Sequence, residues 1–223
     1  DRDKTYLESI LFIRKSLMKR TQVLLFSASI SNKTIKQANT ITYNPVIYEL
    51  SKENKELIPK TIKHIFIISD RRERIETLRK IAKAVNSDKT MIFINTKYDL
   101  EESLQKLQYH NYNVAALAGN IDKQSKKKAV EDFQNGRLQY LLATDVAARG
   151  LQIDHVSTVI NVNLPEEPTE YLHRAGRCGR NNEQGLCISI ITENELNKIK
   201  KYQKAFNINI VQKRLYNGKI VSK

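Results

Sequence analysis

From residue 61 onward, apolar runs of strand length alternate with amphipathic helical stretches, and this alternation restricts the fold more than anything else in the chain. The runs cover 62–68, 90–94, 113–117, 140–143, 158–162 and 185–191. Helical periodicity occupies 72–85, 100–110 and 126–135 between them. Strands that read as near-continuous apolar segments must be covered on both faces, and strand–helix alternation gives that cover in a mostly parallel sheet. The predicted fold class is therefore α/β, with ligands expected beyond the carboxyl ends of the strands. The stretch 208–211 reads as the last strand, followed only by a short basic end.

The first fifty residues read helix, strand, helix, strand. Leu7, Ile10, Leu11, Arg14 and Leu17 keep a helical period, and 22–26 is an apolar run. Ser31 is placed to cap a helix through Ile35 and Ala38, and 45–48 has strand character. Two strands make a poor sheet by themselves. Residues 1–50 thus read as part of a domain whose beginning lies elsewhere. Residues 51–60 are polar and charged, with Pro59 near their end, as suits an exposed linker. A second domain is expected over 61–223.

Composition narrows the function classes. Hydrophobic residues make up 40% of the 223, enough for a real core. No apolar run approaches the roughly 18 residues that span a bilayer, so no membrane partner is expected. Residues 1–20 mix charge with apolar character and do not read as a signal peptide. Cys178 and Cys187 are too few for a disulfide framework, and reduced thiols in a cytoplasmic setting are the expectation. Neither they nor His64, His110, His155 and His173 have metal-ligand spacing. Lys and Arg number 38 against 24 Asp and Glu, a net charge of +14 that points to a polyanionic partner.

Four short sequences fall at the predicted strand ends: Phe93-Ile94-Asn95-Thr96, Gln124-Ser125-Lys126-Lys127, the run from Ala143 to Leu151, and the run from His173 to Arg180. Each has a purely structural reading. Thr96 and Thr144 can be helix caps, the lysines a solvated helix face, Asp145 and Arg149 a local ion pair, and His173 a satisfied structural histidine. The fourth run resists that reading. Arg174, Arg177 and Arg180, separated by Gly176 and Gly179, are too costly to pack without anions or carboxylates. Guanidinium forks match phosphate oxygens bidentately, and glycines let the backbone approach. The combination calls for a triphosphate.

H-R-x-G-R-x-G-R after A-T-D-V-A-A-R-G-L resembles motifs VI and V of superfamily-two helicases, specifically the DEAD-box family. Phe93-Ile94-Asn95-Thr96 resembles motif IV, and Ser27-Ala28-Ser29 resembles motif III. Their order and spacing fit across essentially the whole chain. The resemblance implies a RecA-like second lobe preceded by the tail of the first, from an ATP-dependent RNA helicase. It implies a catalytic set of Arg177 and Arg180 as arginine fingers, with His173 and Arg174 beside them. Arg149, Gly150, Asp145 and Gln152 match nucleotide-binding positions. Thr96, Gly119, Lys127 and Thr144 match contacts to the RNA backbone, and Ser27 and Ser29 match hydroxyls that couple hydrolysis to strand separation.

Three departures stand out: Ser29 replaces the usual Thr, Lys127 the usual Arg, and Gln152 the Asp expected on the ribose, with Asp154 able to take its place. No G-x-x-x-x-G-K-[ST] and no Asp-Glu-Ala-Asp occurs in the chain. ATP and Mg2+ are therefore expected to rest mainly on a first lobe upstream, in a protein acting as a monomer, with this chain inert alone. A superfamily-two DNA helicase or translocase, and a non-catalytic RNA-binding module, are the alternatives.

Overall fold

A computed structural model describes residues 2–18, 21–26, 32–48, 58–118, 121–151, 153, 155–179 and 183–222. The chain divides into two compact units, Asp1–Lys55 and Glu56–Lys223.

Among its described residues the first unit contains two helices, α1 (Arg2–Ser16) and α2 (Asn32–Ile41). Arg14 on α1 donates from Nε to the Ile41 carbonyl at the end of α2, 3.2 Å away. The strands expected at 22–26 and 45–48 do not form. An isolated run has no neighbouring edge to satisfy its backbone groups, and among its described residues this unit offers none. In these two runs Phe26 is 91% exposed and Tyr48 89%. The expected cap Ser31 lies outside the described residues.

The second unit is built on one eight-stranded sheet. Its strands are β1 (Ile62–Ile68), β2 (Thr90–Phe93), β3 (Val114–Leu117), β4 (Tyr140–Ala143), β5 (Thr158–Asn161), β6 (Gly185–Ile191), β7 (Ile210–Tyr216) and β8 (Lys219–Ser222). Their order is β3-β4-β2-β5-β6-β1-β7-β8, and all neighbours are parallel except β7 and β8. The helices are α3 (Arg74–Val85), α4 (Lys97–Tyr109), α5 (Lys123–Gln134), the single turn α6 (Asp145–Ala148), α7 (Pro168–Ala175) and α8 (Leu196–Phe206).

Strand alternation divides the core in two. One face presents Phe66, Met91, Phe93, Leu141, Val159 and Cys187 to Phe133 of α5, Tyr171 of α7 and Tyr202 of α8. The other presents Ile65, Ile67, Ile92, Leu142, Ile160 and Ile188 to Leu78 and Ile81 of α3 and Leu100 and Leu107 of α4. Both faces are covered, as the apolar runs require.

The carboxyl edge differs most from expectation. The last strand runs through Gln212, Lys213 and Arg214 to Tyr216, and the basic end returns as β8. Asn217 (φ +47°) and Gly218 (φ +72°) make the turn, the left-handed pair that a two-residue hairpin demands.

One buried ionisable group belongs to the scaffold itself. His64 on β1 is buried, and its Nδ1 lies 2.9 Å from the Tyr171 hydroxyl on α7. Burial holds its pKa down, from 6.5 to about 4. Between those values the unfolded chain binds the proton and the folded chain does not, so stability rises with pH. The unfolding free energy of the second unit is expected to be complete above pH 6.5 and to fall toward pH 4. The slope from this group approaches about 1.4 kcal/mol per pH unit. Urea titrations at several pH values should show that slope flattened in His64→Gln; parallel curves for both proteins would contradict it.

Candidate functional site

The site forms where β2, β4 and β5 end. Each apolar strand is closed by a polar residue: Asn95 and Thr96 after β2, Thr144 and Asp145 after β4, Asn161 and then Asn163 at β5. Arg174, near the end of α7, reaches into this edge and is 1% exposed. Its Nε and Nη2 donate to the two oxygens of Asp145 at 2.7 and 2.6 Å. Nη1 donates to the Asn163 carbonyl at 2.7 Å and to Asn161 Oδ1 at 3.3 Å. Nη2 also donates to Asn95 Oδ1 at 2.8 Å, and the guanidinium lies 5.1 Å from the centre of the Phe93 ring. A guanidinium has five N–H donors, and all five are used.

Arg174, expected in the catalytic set, has its charge met inside the protein by Asp145, expected at the nucleotide, whose two oxygens each accept one of its N–H groups. The local Asp145–Arg149 pair does not form. Arg149 instead points its Nη2 toward Glu170, 3.7 Å away, from a side chain 72% exposed, a pairing of little energetic worth.

Above Arg174 lies a hollow of about 230 Å³, bordered by Arg149, Gly150, Glu170, His173 and Arg177. Arg177 is half-buried, and its Nη1 donates to the Leu151 carbonyl at 2.8 Å. Gly150, at φ +73°, turns the chain between Arg149 and that carbonyl. His173 is exposed on the rim rather than sequestered as a structural histidine. Gly179 (φ +68°) cannot carry a side chain, since a Cβ there would sit 2.4 Å from Ile62 Cγ1. The loop after α7 is thereby pressed onto β1.

Thr96 and Thr144 both cap helices, accepting from the backbone N–H groups of Asp99 at 3.1 Å and Ala147 at 3.3 Å. A capping hydroxyl that accepts an N–H still has its own proton to donate. Lys127 is exposed on α5, 3.6 Å from Glu131, away from the hollow. Ser27, Ser29, Gly119, Gln152, Asp154 and Arg180 lie outside the described residues. Asn161 and Asn163 are site residues that the sequence reading passed over; the signal for them is the polar alternation Asn161-Val162-Asn163 closing an apolar strand.

Removing one partner of a buried ion pair leaves the other uncompensated. Arg174→Ala should lower the unfolding free energy of the second unit by about 3–5 kcal/mol. Arg174→Lys should recover little of it, since an ammonium cannot reproduce the fork. Urea denaturation checks both; near-wild-type stability in Arg174→Lys would mean that charge alone suffices.

Comparison with known proteins agrees with this geometry. The helicase conserved C-terminal domain matches residues 73–182. The DEAD-box ATP-dependent RNA helicase CshC of Bacillus cereus is 32% identical over 208 residues, 93% of this chain and 52% of that protein. The ATP-dependent RNA helicase DBP3 of Saccharomyces cerevisiae is 34% identical over 188 residues, 82% of this chain and 36% of that protein. Among solved structures, S. cerevisiae Dbp5 bound to RNA and ADP BeF3 superposes with a TM-score of 0.81 at 29% identity, covering 91% of this chain and 54% of that one. A DEAD box protein from Methanococcus jannaschii gives a TM-score of 0.64 at 26% identity, covering 96% and 56%. The chain spans about half the length of the curated relatives CshC and YfmL. With its parallel sheet, its motif order and the hollow beside α7, the chain belongs to the DEAD-box helicase family and carries that family's RecA-like C-terminal lobe.

Proposed function

We propose that this lobe forms one wall of an ATP site and part of an RNA track, in an ATP-dependent helicase that remodels RNA duplexes by closing two lobes. The observation that carries the reading is the convergence of Arg177, His173 and Arg149 on one hollow. At about 230 Å³ the hollow is smaller than the roughly 300–1,000 Å³ of pockets that enclose whole ligands. It suits the phosphate end of a nucleotide held mainly elsewhere.

Arg177 would present its guanidinium to the γ-phosphate from the border of the hollow, with Nη1 fixed by the Leu151 carbonyl. That is electrostatic stabilisation by a preorganised donor, the role of an arginine finger. Arg180 and Gln152 are proposed as its companions at phosphate and ribose. Among the described residues no group of three or more His, Cys, Asp or Glu side chains is placed to hold a metal ion. Mg2+ is proposed to sit on the first lobe. Residues 1–50 are proposed to close that first lobe, with 51–60 as the linker and Ser27 and Ser29 as its coupling hydroxyls.

RNA would be held through backbone contacts by Thr96, Thr144, Gly119 and Lys127, giving little sequence preference. Such contacts depend on counterion release, so affinity should fall steeply with salt. Lys127 offers a point charge and no fork, which favours a looser grip than arginine would give.

In the protein with both lobes, Arg177→Ala should lower ATP turnover by roughly 10³–10⁵-fold. RNA affinity without nucleotide should change far less; equal losses would make Arg177 structural. This chain by itself should show no ATP turnover, and robust hydrolysis by it would overturn the assignment. Unwinding of DNA duplexes as fast as RNA duplexes would favour the translocase reading.

A further inference from the structure

Asn95 stands between two hollows. On one side it lines a crevice of about 520 Å³ together with Thr96, Arg71 and Arg72. On the other, its Oδ1 accepts from Arg174, which forms the floor of the smaller hollow under Arg177 and His173. Three bonds fix the residue. Besides the contact with Arg174, its Nδ2 donates to the Leu164 carbonyl at 3.3 Å, and its backbone N–H donates to Asn163 Oδ1 at 3.0 Å. Both partners belong to the loop that leads from β5 into α7.

We infer that Asn95 is a positioning residue that keeps the RNA-side hydroxyl of Thr96 in register with the phosphate-side groups of α7. This rests on the function proposed above. Thr96 is the next residue in the chain and the cap of α4, so the position of Asn95 sets where α4 begins. Arg174 lies one residue from His173 and three from Arg177, and its buried bonds leave it no freedom to follow one partner and release another. A displacement of α7 is therefore felt at residue 95 directly. Coupling between two ligands requires that both act on one element. Here the element is α7 with the β2–α4 and β5–α7 loops, and the Asn95 amide is the group that ties the β2–α4 loop directly to Arg174. A side chain too short to reach Arg174 would leave each site intact but let them fall out of register.

The test uses the protein with both lobes. RNA affinity is measured with and without ADP-BeF3, and the ratio of the two gives the coupling; thermal stability is followed alongside. In wild type the ratio should lie in the range of roughly 5–150-fold typical of coupled sites. Asn95→Ala should lower it by about 5-fold or more, while RNA affinity without nucleotide stays within about 2-fold, consistent with a role in register rather than in contact. Asn95→Asp keeps an acceptor for Arg174 and loses the donor to Leu164. It should hold the ratio within about 3-fold of wild type, including where Asn95→Ala proves too unstable to assay. An unchanged ratio in Asn95→Ala overturns the inference, as does equal weakening of RNA with and without nucleotide, or an Asn95→Asp ratio as low as that of a folded Asn95→Ala. A wild-type protein with no nucleotide-linked gain in RNA affinity overturns the proposed function itself, and the inference with it.

Discussion

A guanidinium taken out of water loses stability for each N–H left without a partner, and the second unit is organised around one whose five are all met. Desolvating an unpaired charge has a penalty of several kcal/mol, and geometry must be excellent for the pairing to offset it. Arg174 meets that condition only when α6, the end of β5, the two loops beyond β2 and β5, and α7 are all in place. The five bonds are thus a joint condition on five parts of the chain. A misregistered β5 would remove Asn161 and Asn163 together and leave the charge unmet. The hollow beneath Arg177 has this fully bonded guanidinium as its floor.

The buried face of the same helix is also held by aromatic packing. Tyr171 stacks on Tyr202 of α8 with ring centres 4.7 Å apart, and its hydroxyl meets His64 of β1. Burial raises the Tyr171 pKa well above its ordinary value, so the phenol stays neutral and able to donate. Such stacked pairs add about 0.5–1.5 kcal/mol beyond the area they bury. Polar saturation at Arg174 and aromatic contact at Tyr171 fix α7 against the sheet, and His173 is left exposed beside the hollow.

How much of this was legible follows from which interactions are local. Six strands were placed within a residue of their ends because they are buried on both faces, where apolar runs are unbroken. β7 was cut short because Gln212, Lys213 and Arg214 interrupt its pattern near the sheet's edge, where polar side chains are tolerated. The Asn217-Gly218 pair that closes the hairpin was in plain view, but a hairpin needs two strands to be recognised. The runs at 22–26 and 45–48 erred the other way: strand propensity without a neighbouring edge forms no ladder. At the site, Asp145 and Arg149 suggested a helical pair by spacing, whereas the carboxylate's actual partner lies 29 residues away. No spacing rule reaches that far.

The three arginines of the run from His173 to Arg180 show the same limit at closer range. Composition treats Arg174 and Arg177 alike, as cations seeking anions. The fold separates them because α7 ends at Ala175. Arg174 projects from the buried face with Tyr171 and Leu172, while Arg177 follows Gly176 beyond the helix, where the Leu151 carbonyl accepts from its Nη1. An arginine satisfied at five donors cannot also stabilise charge that appears during a reaction, since it would have to abandon bonds that already hold it. An arginine that borders the hollow from beyond the helix end, as Arg177 does, is not held to that condition, since preorganised donors stabilise charge only where a reacting group can reach them. The two roles are therefore exclusive in one side chain, and a site needing both a rigid floor and an electrostatic finger has to supply two arginines.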